Sequence, residues 1–196
     1  MDYKYIITDE MYQKCYQFAQ DSVLTSADKY ARRNQFDIEK IKKDICNGKI
    51  GEQGTYNVLS SNFPDLSLPD YFVYTKKSKS WSSDMQDPSG LRLAVKSQDI
   101  SSAINYGDSW VFQYNNGANY DCDTGVFKEN DNNHYVVFNS LNVPKRFGTI
   151  RAIVKIKWLH EKSLFKEMKI HQLRGNKLAV YYDDLLQYKD ELFQLS

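Results

Sequence analysis

Asp84, Lys96 and Gln98 are residues whose types and spacing could do chemistry together, and Ala94 marks where a further acid should stand. The segment Leu91-Arg92-Leu93-Ala94-Val95-Lys96-Ser97-Gln98 reads as a β-strand. Alternation puts Leu91, Leu93 and Val95 on one face and Arg92, Ala94, Lys96 and Gln98 on the other. Residues 85–93 separate Asp84 from Ala94, and Pro88-Ser89-Gly90 makes a turn just before the strand. A carboxylate, a turn and a strand ending in acid-x-Lys suit metal-assisted hydrolysis of a phosphodiester. Mg²⁺ takes one or two carboxylates beside a substrate phosphate and keeps several waters. The reaction also needs a cation near the attacking water and the charge developing on phosphorus. Asp84 and an acid at position 94 would be the carboxylates, and the Val95 carbonyl would point into the same site. Lys96 would orient or deprotonate the water, and Gln98 would hydrogen-bond the site or the substrate backbone. Only the acid is missing.

The elements that must position these residues follow from periodicity. Residues 1–60 read as mainly helical. Thr8 or Asp9 caps a first helix through Met11, Cys15, Phe18 and Val23, Thr25-Ser26 caps a second, and Asp37 starts a third. That third helix carries Gly48, Gly51 and Gly54, each costing up to about 1 kcal/mol relative to Ala in a helix interior. A break at Asn47-Gly48 would explain one, and close approach to another element or to DNA the others. Residues 61–196 read as mixed sheet and helix. The pattern predicts a loop over 63–70, a strand over 71–75, a polar hairpin arm over 76–84 and the strand 91–98. A helix over 100–106, a strand over 110–114 and a surface excursion over 115–134 follow. Strands are expected over 134–138, 150–158 and 178–182, a helix within 159–175, and a last helix capped by Asp183-Asp184. The expectation is one α/β domain spanning 1–196, with a central mixed sheet flanked by helices.

Composition narrows the class. A chain of 196 residues can bury about 70% of its unfolded surface. Apolar content of 41% and charged content of 26% fit a soluble globular protein. The net charge of +1 excludes a global polycation, so any nucleic-acid contact must come from local clusters. Cys15, Cys46 and Cys122 are odd in number, without a CxxC, and suit reduced thiols in the cytoplasm. No run is apolar enough to span a membrane and no secretion signal opens the chain. No GxxxxGK[ST] or Gly-rich fingerprint points to a nucleotide cofactor.

Asp84…Ala94-Val95-Lys96-Ser97-Gln98 resembles the pattern of the PD-(D/E)XK nucleases, the superfamily of many type II restriction enzymes and of resolvases. There an Asp is followed, after a short spacer, by (Asp/Glu)-x-Lys on the next strand. Gly48-Lys49-Ile50-Gly51-Glu52-Gln53-Gly54-Thr55-Tyr56-Asn57-Val58-Leu59 resembles the helix before the core sheet, whose Glu often reaches the metal or its water. Glu52 carries that over. The resemblance covers about residues 45–115. It implies a restriction-endonuclease-like fold and cleavage of double-stranded DNA with Mg²⁺, or Mn²⁺ in its place. Asp84, Val95 and Glu52 would hold the metal. Cutting both strands usually needs two sites, so a homodimer is expected. Alanine cannot bind a metal, so the chain as written should cleave weakly or not at all. Either a deliberate Glu→Ala or Asp→Ala replacement or a degenerate relative that binds without cutting explains it. Survival of Glu52, Asp84 and Lys96 favours the replacement.

Other residues have two readings. Lys29, Arg32, Arg33, Lys40, Lys42, Lys43 and Lys49 could lie along DNA phosphates, or on solvated faces balanced by Asp28, Asp37, Glu39 and Asp44. Lys76, Lys77 and Lys79, in the arm leading to Asp84, are better placed for phosphate. Ser109, Gln113, Asn115 and Asn116 follow the strand and could read base edges, or merely surround a core Trp110. Asp70 is the rival first acid, Asp87 reads as a turn residue, and His134, His160 and His171 as structural. An interaction protein in which Lys96 is merely structural is the alternative from another class.

Overall fold

Helix caps and strand alternation set out the elements around β3 (Arg92–Asp99). The computed structural model describes residues 3–31, 35–74, 83–113, 133–170 and 177–195 (27–29 by backbone alone). Thr8 Oγ1 accepts from Met11 N, and α1 runs unbroken over Asp9–Ala31. The cap expected at Thr25 does not form. Its hydroxyl donates to Ser22 O inside the helix, a bond a mid-helix threonine readily makes. Asp37 caps α2 (Ile38–Leu59) by accepting from Lys40 N. Gly48 breaks nothing. At Gly51 a Cβ would collide with Ser97 Oγ, and at Gly54 with the Tyr5 ring, so close approach to strands is what these two glycines allow.

β1 (Tyr3–Ile6), which no local pattern announces, pairs antiparallel with β6 (Phe147–Lys155). β2 (Met85–Gln86) and β3 (Arg92–Asp99) are antiparallel, and β3 runs parallel to β5 (His134–Asn142). The sheet is mixed and five-stranded, in the order β1-β6-β5-β3-β2. Between β3 and β5 come α3 (Ile100–Tyr106) and β4 (Ser109–Gln113). β4 joins β8 (Lys177–Tyr181) and β7 (Lys166–Glu167) in a three-stranded antiparallel sheet.

Several expectations are corrected. Residues 71–74 form no strand, and 156–158 leave the sheet as the start of α4 (Ile156–Glu161). Ile156 and Leu159 both bury completely at helical spacing, so apolar residues that also alternate were drawn into a helix. The short β7 lies where a helix was expected. Asp183 and Asp184 sit in the first turn of α5 (Tyr182–Leu185) and do not cap it, since Tyr181 holds the cap position. A 3₁₀ helix, Leu186–Glu191, follows.

The five-stranded sheet has a core on each face. Leu93, Tyr135, Val137 and Ile150 pack with Cys15, Ala19, Cys46 and Ile50 of α1 and α2. Val136, Phe138, Ala152 and Val154 pack with Trp110, Phe112, Val180 and Leu159 on the other side. This is a mixed α/β fold with the central sheet flanked by helices. Gly54→Ala should cost about 1–3 kcal/mol by forcing the Tyr5 ring aside. Gly48→Ala, with nothing within 4 Å, should gain up to about 1 kcal/mol. Urea denaturation of both variants checks this, and a neutral Gly54→Ala would remove close approach as the reason for the glycine.

Candidate active site

β3 carries one set of side chains to each core. Leu93 packs on the α1/α2 side, and Gly51 of α2 abuts Ser97 and Val95 on that side. Ala94, Lys96 and Gln98 face the β4 side, where Lys96 Nζ stands 4.8 Å from the Phe112 ring centroid. β2 pairs only Met85 with Leu93 and Gln86 with Arg92, so one step further Asp84 comes opposite Ala94. Its Oδ2 accepts from Val95 N at 2.7 Å. Arg92 N donates to Asn133 O on the β5 side. Backbone groups of a strand alternate in direction, so the N–H and C=O of Val95 point to the outer edge, past the end of β2. Asp84, Ala94, Val95 and Lys96 are therefore brought together at the outer edge of β3, which among the described residues no strand but β2 covers.

The turn before β3 is built as its sequence suggests. Asp87 accepts from Leu91 N and Ser89 Oγ, with Gly90 at φ +92, and the Ser89 hydroxyl holds its carboxyl below the ordinary range. Asp70 spends its carboxylate on Phe72 N and Tyr74 Oη, which makes it a loop organiser and not the first acid.

Glu52 comes from the other layer. It forms an ion pair with Lys49, one turn earlier on α2, next to Cys15 and Tyr71. Glu52 and Lys96 thus lie on opposite faces of β3. Lys49 is 7% exposed and lies over the Phe18 and Tyr71 rings. It is a buried partner of Glu52, which corrects its assignment to a DNA surface. Lys40, Lys42 and Lys43 pair with Asp44, Glu39 and Asp99, the balanced arrangement of ordinary helix faces.

Gln98 is corrected too. Its Oε1 accepts from Ser109 N at 2.8 Å and its Nε2 donates to Gly107 O at 3.0 Å, so the side chain ties β3 to the start of β4. Ser109 is 6% exposed and its hydroxyl donates to Gly107 O, so it reads no base edge. Gln113 lies at the end of β4, half-buried opposite Lys177. Lys76, Lys77, Lys79, Asn115 and Asn116 lie outside the described residues.

Among the described residues no cluster of three or more His, Cys, Asp or Glu stands ready to hold a metal ion. The edge offers the Asp84 carboxylate and the Val95 carbonyl, while Ala94 contributes no oxygen. Such a pair is at the low end of what Mg²⁺ accepts even with substrate phosphate, so a second carboxylate is needed to complete the fit. Thiol chemistry finds no support among the described residues, and Cys122 lies outside them. Burial raises the Cys15 thiol and pushes that of Cys46 up to about 12, which keeps both protonated at neutral pH. His160 packs its ring 4.7 Å from Phe165, as a structural histidine would. No described helix is long and apolar enough to cross a membrane.

Asp99 is the residue that sequence reasoning passed over. It accepts from Ser101 N and Ser102 N at the start of α3, pairs with Lys43 and receives Asn47 Nδ2, which anchors α2 to the strand's end. An Asp just before a predicted helix was the available signal. Burial alone would raise its carboxyl, but hydrogen bonds from Lys43 and Ser101 outweigh this and hold it at about 2. Asp99→Ala should lower stability at neutral pH by about 1 kcal/mol. A depressed folded pKa contributes fully above the ordinary value of 3.8 and is lost as pH falls through about 2. The difference between the two proteins should therefore close over that window in a pH series of denaturation curves. A difference that stays constant to the acid end would mean the charge of Asp99 is not what stabilises.

Comparison of the chain with family models, with curated proteins and with solved structures found no match.

Proposed function

We propose that this chain is a restriction-endonuclease-like, Mg²⁺-dependent endonuclease for double-stranded DNA whose cleavage is held down by Ala94. One observation carries the reading: Asp84 stands opposite Ala94 with its carboxylate on the Val95 amide, and Lys96 follows on the face of Ala94. An acid at position 94 would complete, with Asp84 and the Val95 carbonyl, the oxygen set that a hard cation requires. The ion, when bound, would supply a more acidic water and offset charge on the phosphate. Lys96 would orient the attacking water and stabilise the negative charge gathering on phosphorus. Glu52 would approach the edge from the α2 side. Two such sites, one per subunit of a homodimer in the cytoplasm, would cut both strands.

The present donor set favours a second reading, a relative that binds DNA without cutting it. Ala94→Glu separates the two. It should bring Mg²⁺- or Mn²⁺-dependent cleavage of plasmid DNA, which Lys96→Ala in the same chain abolishes. A variant that binds DNA and cuts no sequence in either metal leaves the binding-only protein.

Duplex binding should not need the missing acid, because removing a carboxylate from a phosphate-facing edge lessens repulsion. With a net charge of +1 attraction rests on local Lys and Arg contacts. Affinity should then fall with salt at a slope of about −0.9 per phosphate neutralised. Binding absent at low salt, or flat as salt rises, would return the chain to the class of interaction proteins.

A further inference from the structure

A cavity of about 410 Å³ opens on the Lys96 side of the five-stranded sheet, within the size range of small-ligand sites. Its floor is one row of the sheet, in which Gln98 stands beside Ser140 and Ser140 beside Thr149. Gln98 follows Lys96 by two strand residues, about 7 Å along the same face. Its wall is α3, a helix that buries none of its own residues and leaves Ile100 41% and Ile104 78% exposed.

A β-bulge aims a charge into this space. Phe138 pairs with Ala152 and Asn139 with Ile150, so Arg151 is the extra residue of β6. A bulge sends two successive side chains to one side and re-aims the extra one. Arg151 Nε donates to Ser140 Oγ at 3.2 Å, and its guanidinium lies 5.1 Å from the Tyr182 ring. The planar fork is thereby oriented before any ligand arrives. Asp108 supplies the opposite charge to the lining.

We propose that this cavity binds a nucleoside monophosphate, free or as one residue of a polynucleotide. The fork of Arg151 matches phosphate oxygens. The aliphatic wall of α3 covers the flat face of a base. Asp108 only accepts hydrogen bonds when ionised, and guanine presents N1–H and N2–H side by side, the edge best suited to a carboxylate. The choice of a nucleotide among flat anions rests on the nuclease reading, whereas the cavity and its charges do not.

Calorimetric titration of the full chain with dGMP, dTMP, deoxyguanosine, inorganic phosphate and a short guanine-containing single strand tests this. dGMP should bind at least about tenfold more tightly than phosphate or deoxyguanosine, and Arg151→Met should lose about tenfold. Ile104→Asp, at an exposed position that leaves the core intact, should weaken dGMP as well. Asp108→Asn should narrow the preference for dGMP over dTMP. A single strand that outcompetes dGMP identifies the polynucleotide as the source, and the reverse identifies the free nucleotide. Phosphate binding as tightly as dGMP, or dGMP heat unchanged by Arg151→Met and Ile104→Asp, overturns the proposal. So does the absence of dGMP binding at millimolar concentration. Duplex binding that persists without dGMP binding sinks this inference alone, while dGMP binding without duplex binding sinks the nuclease reading alone.

Discussion

Asn139 is fully buried in the middle of the sheet, and a buried amide must find partners for its polar atoms. Its Oδ1 accepts from Tyr5 Oη, its Nδ2 donates to Thr55 Oγ1, and its carbonyl accepts from Trp110 Nε1. These bonds tie β5 to β1, to α2 and to β4, so every layer of the molecule is referenced to one residue. An unmet partner in such a network costs about 1–3 kcal/mol. Other features follow from it. Tyr5 must reach inward across Gly54 and Gly148, where any Cβ would strike its ring, and α2 must lie close enough for Thr55 to meet the amide.

Because α2 lies so low over the sheet, Gly51 touches Ser97 and Val95, and the α2 face of β3 is closed by packing. The Lys49–Glu52 pair is enclosed in this layer beside the rings of Phe18 and Tyr71. A buried pair of this kind is costly to form, and removing one partner leaves the other charge stranded. Among the described residues β3 is then left reachable on its other face, at the cavity lined by Gln98, and at its outer edge, where β2 ends and Asp84 caps Val95. Among the described residues, β2 is too short to cover that edge.

The same residue marks the irregularity that shapes the opposite face. The bulge lies at Phe138/Asn139, and its extra residue is Arg151. Ladder pairs before the break serve both cores, whereas beyond it Leu141 and Ile150 belong to the α1/α2 core and Ser140 and Thr149 line the cavity under α3. Gln98 and Asp99 hold that helix in place from the end of β3, one by binding Gly107 and Ser109 and the other by capping. Strand, bulge and helix together frame the cavity.

What local physics could decide was legible in the sequence. Alternation placed β3 and separated Ala94, Lys96 and Gln98 from Leu93 and Val95, since side-chain direction in a strand needs no distant partner. Caps at Thr8 and Asp37, the turn at Asp87 and the helix over 100–106 depend on neighbours a few residues away, and they were legible for that reason. β1 was invisible because an edge strand of four residues is defined by its partner β6. Residues 156–158 satisfied both periods, and only burial against the second core made them helical. Which residue Gln98 would bind, that Lys49 would turn inward to Glu52, and that a bulge would redirect Arg151 depend on contacts between segments far apart in the chain. Spacing along one strand determines which side chains share a face. Only tertiary packing decides which faces meet and which edge stays open, because those distances are set by other elements.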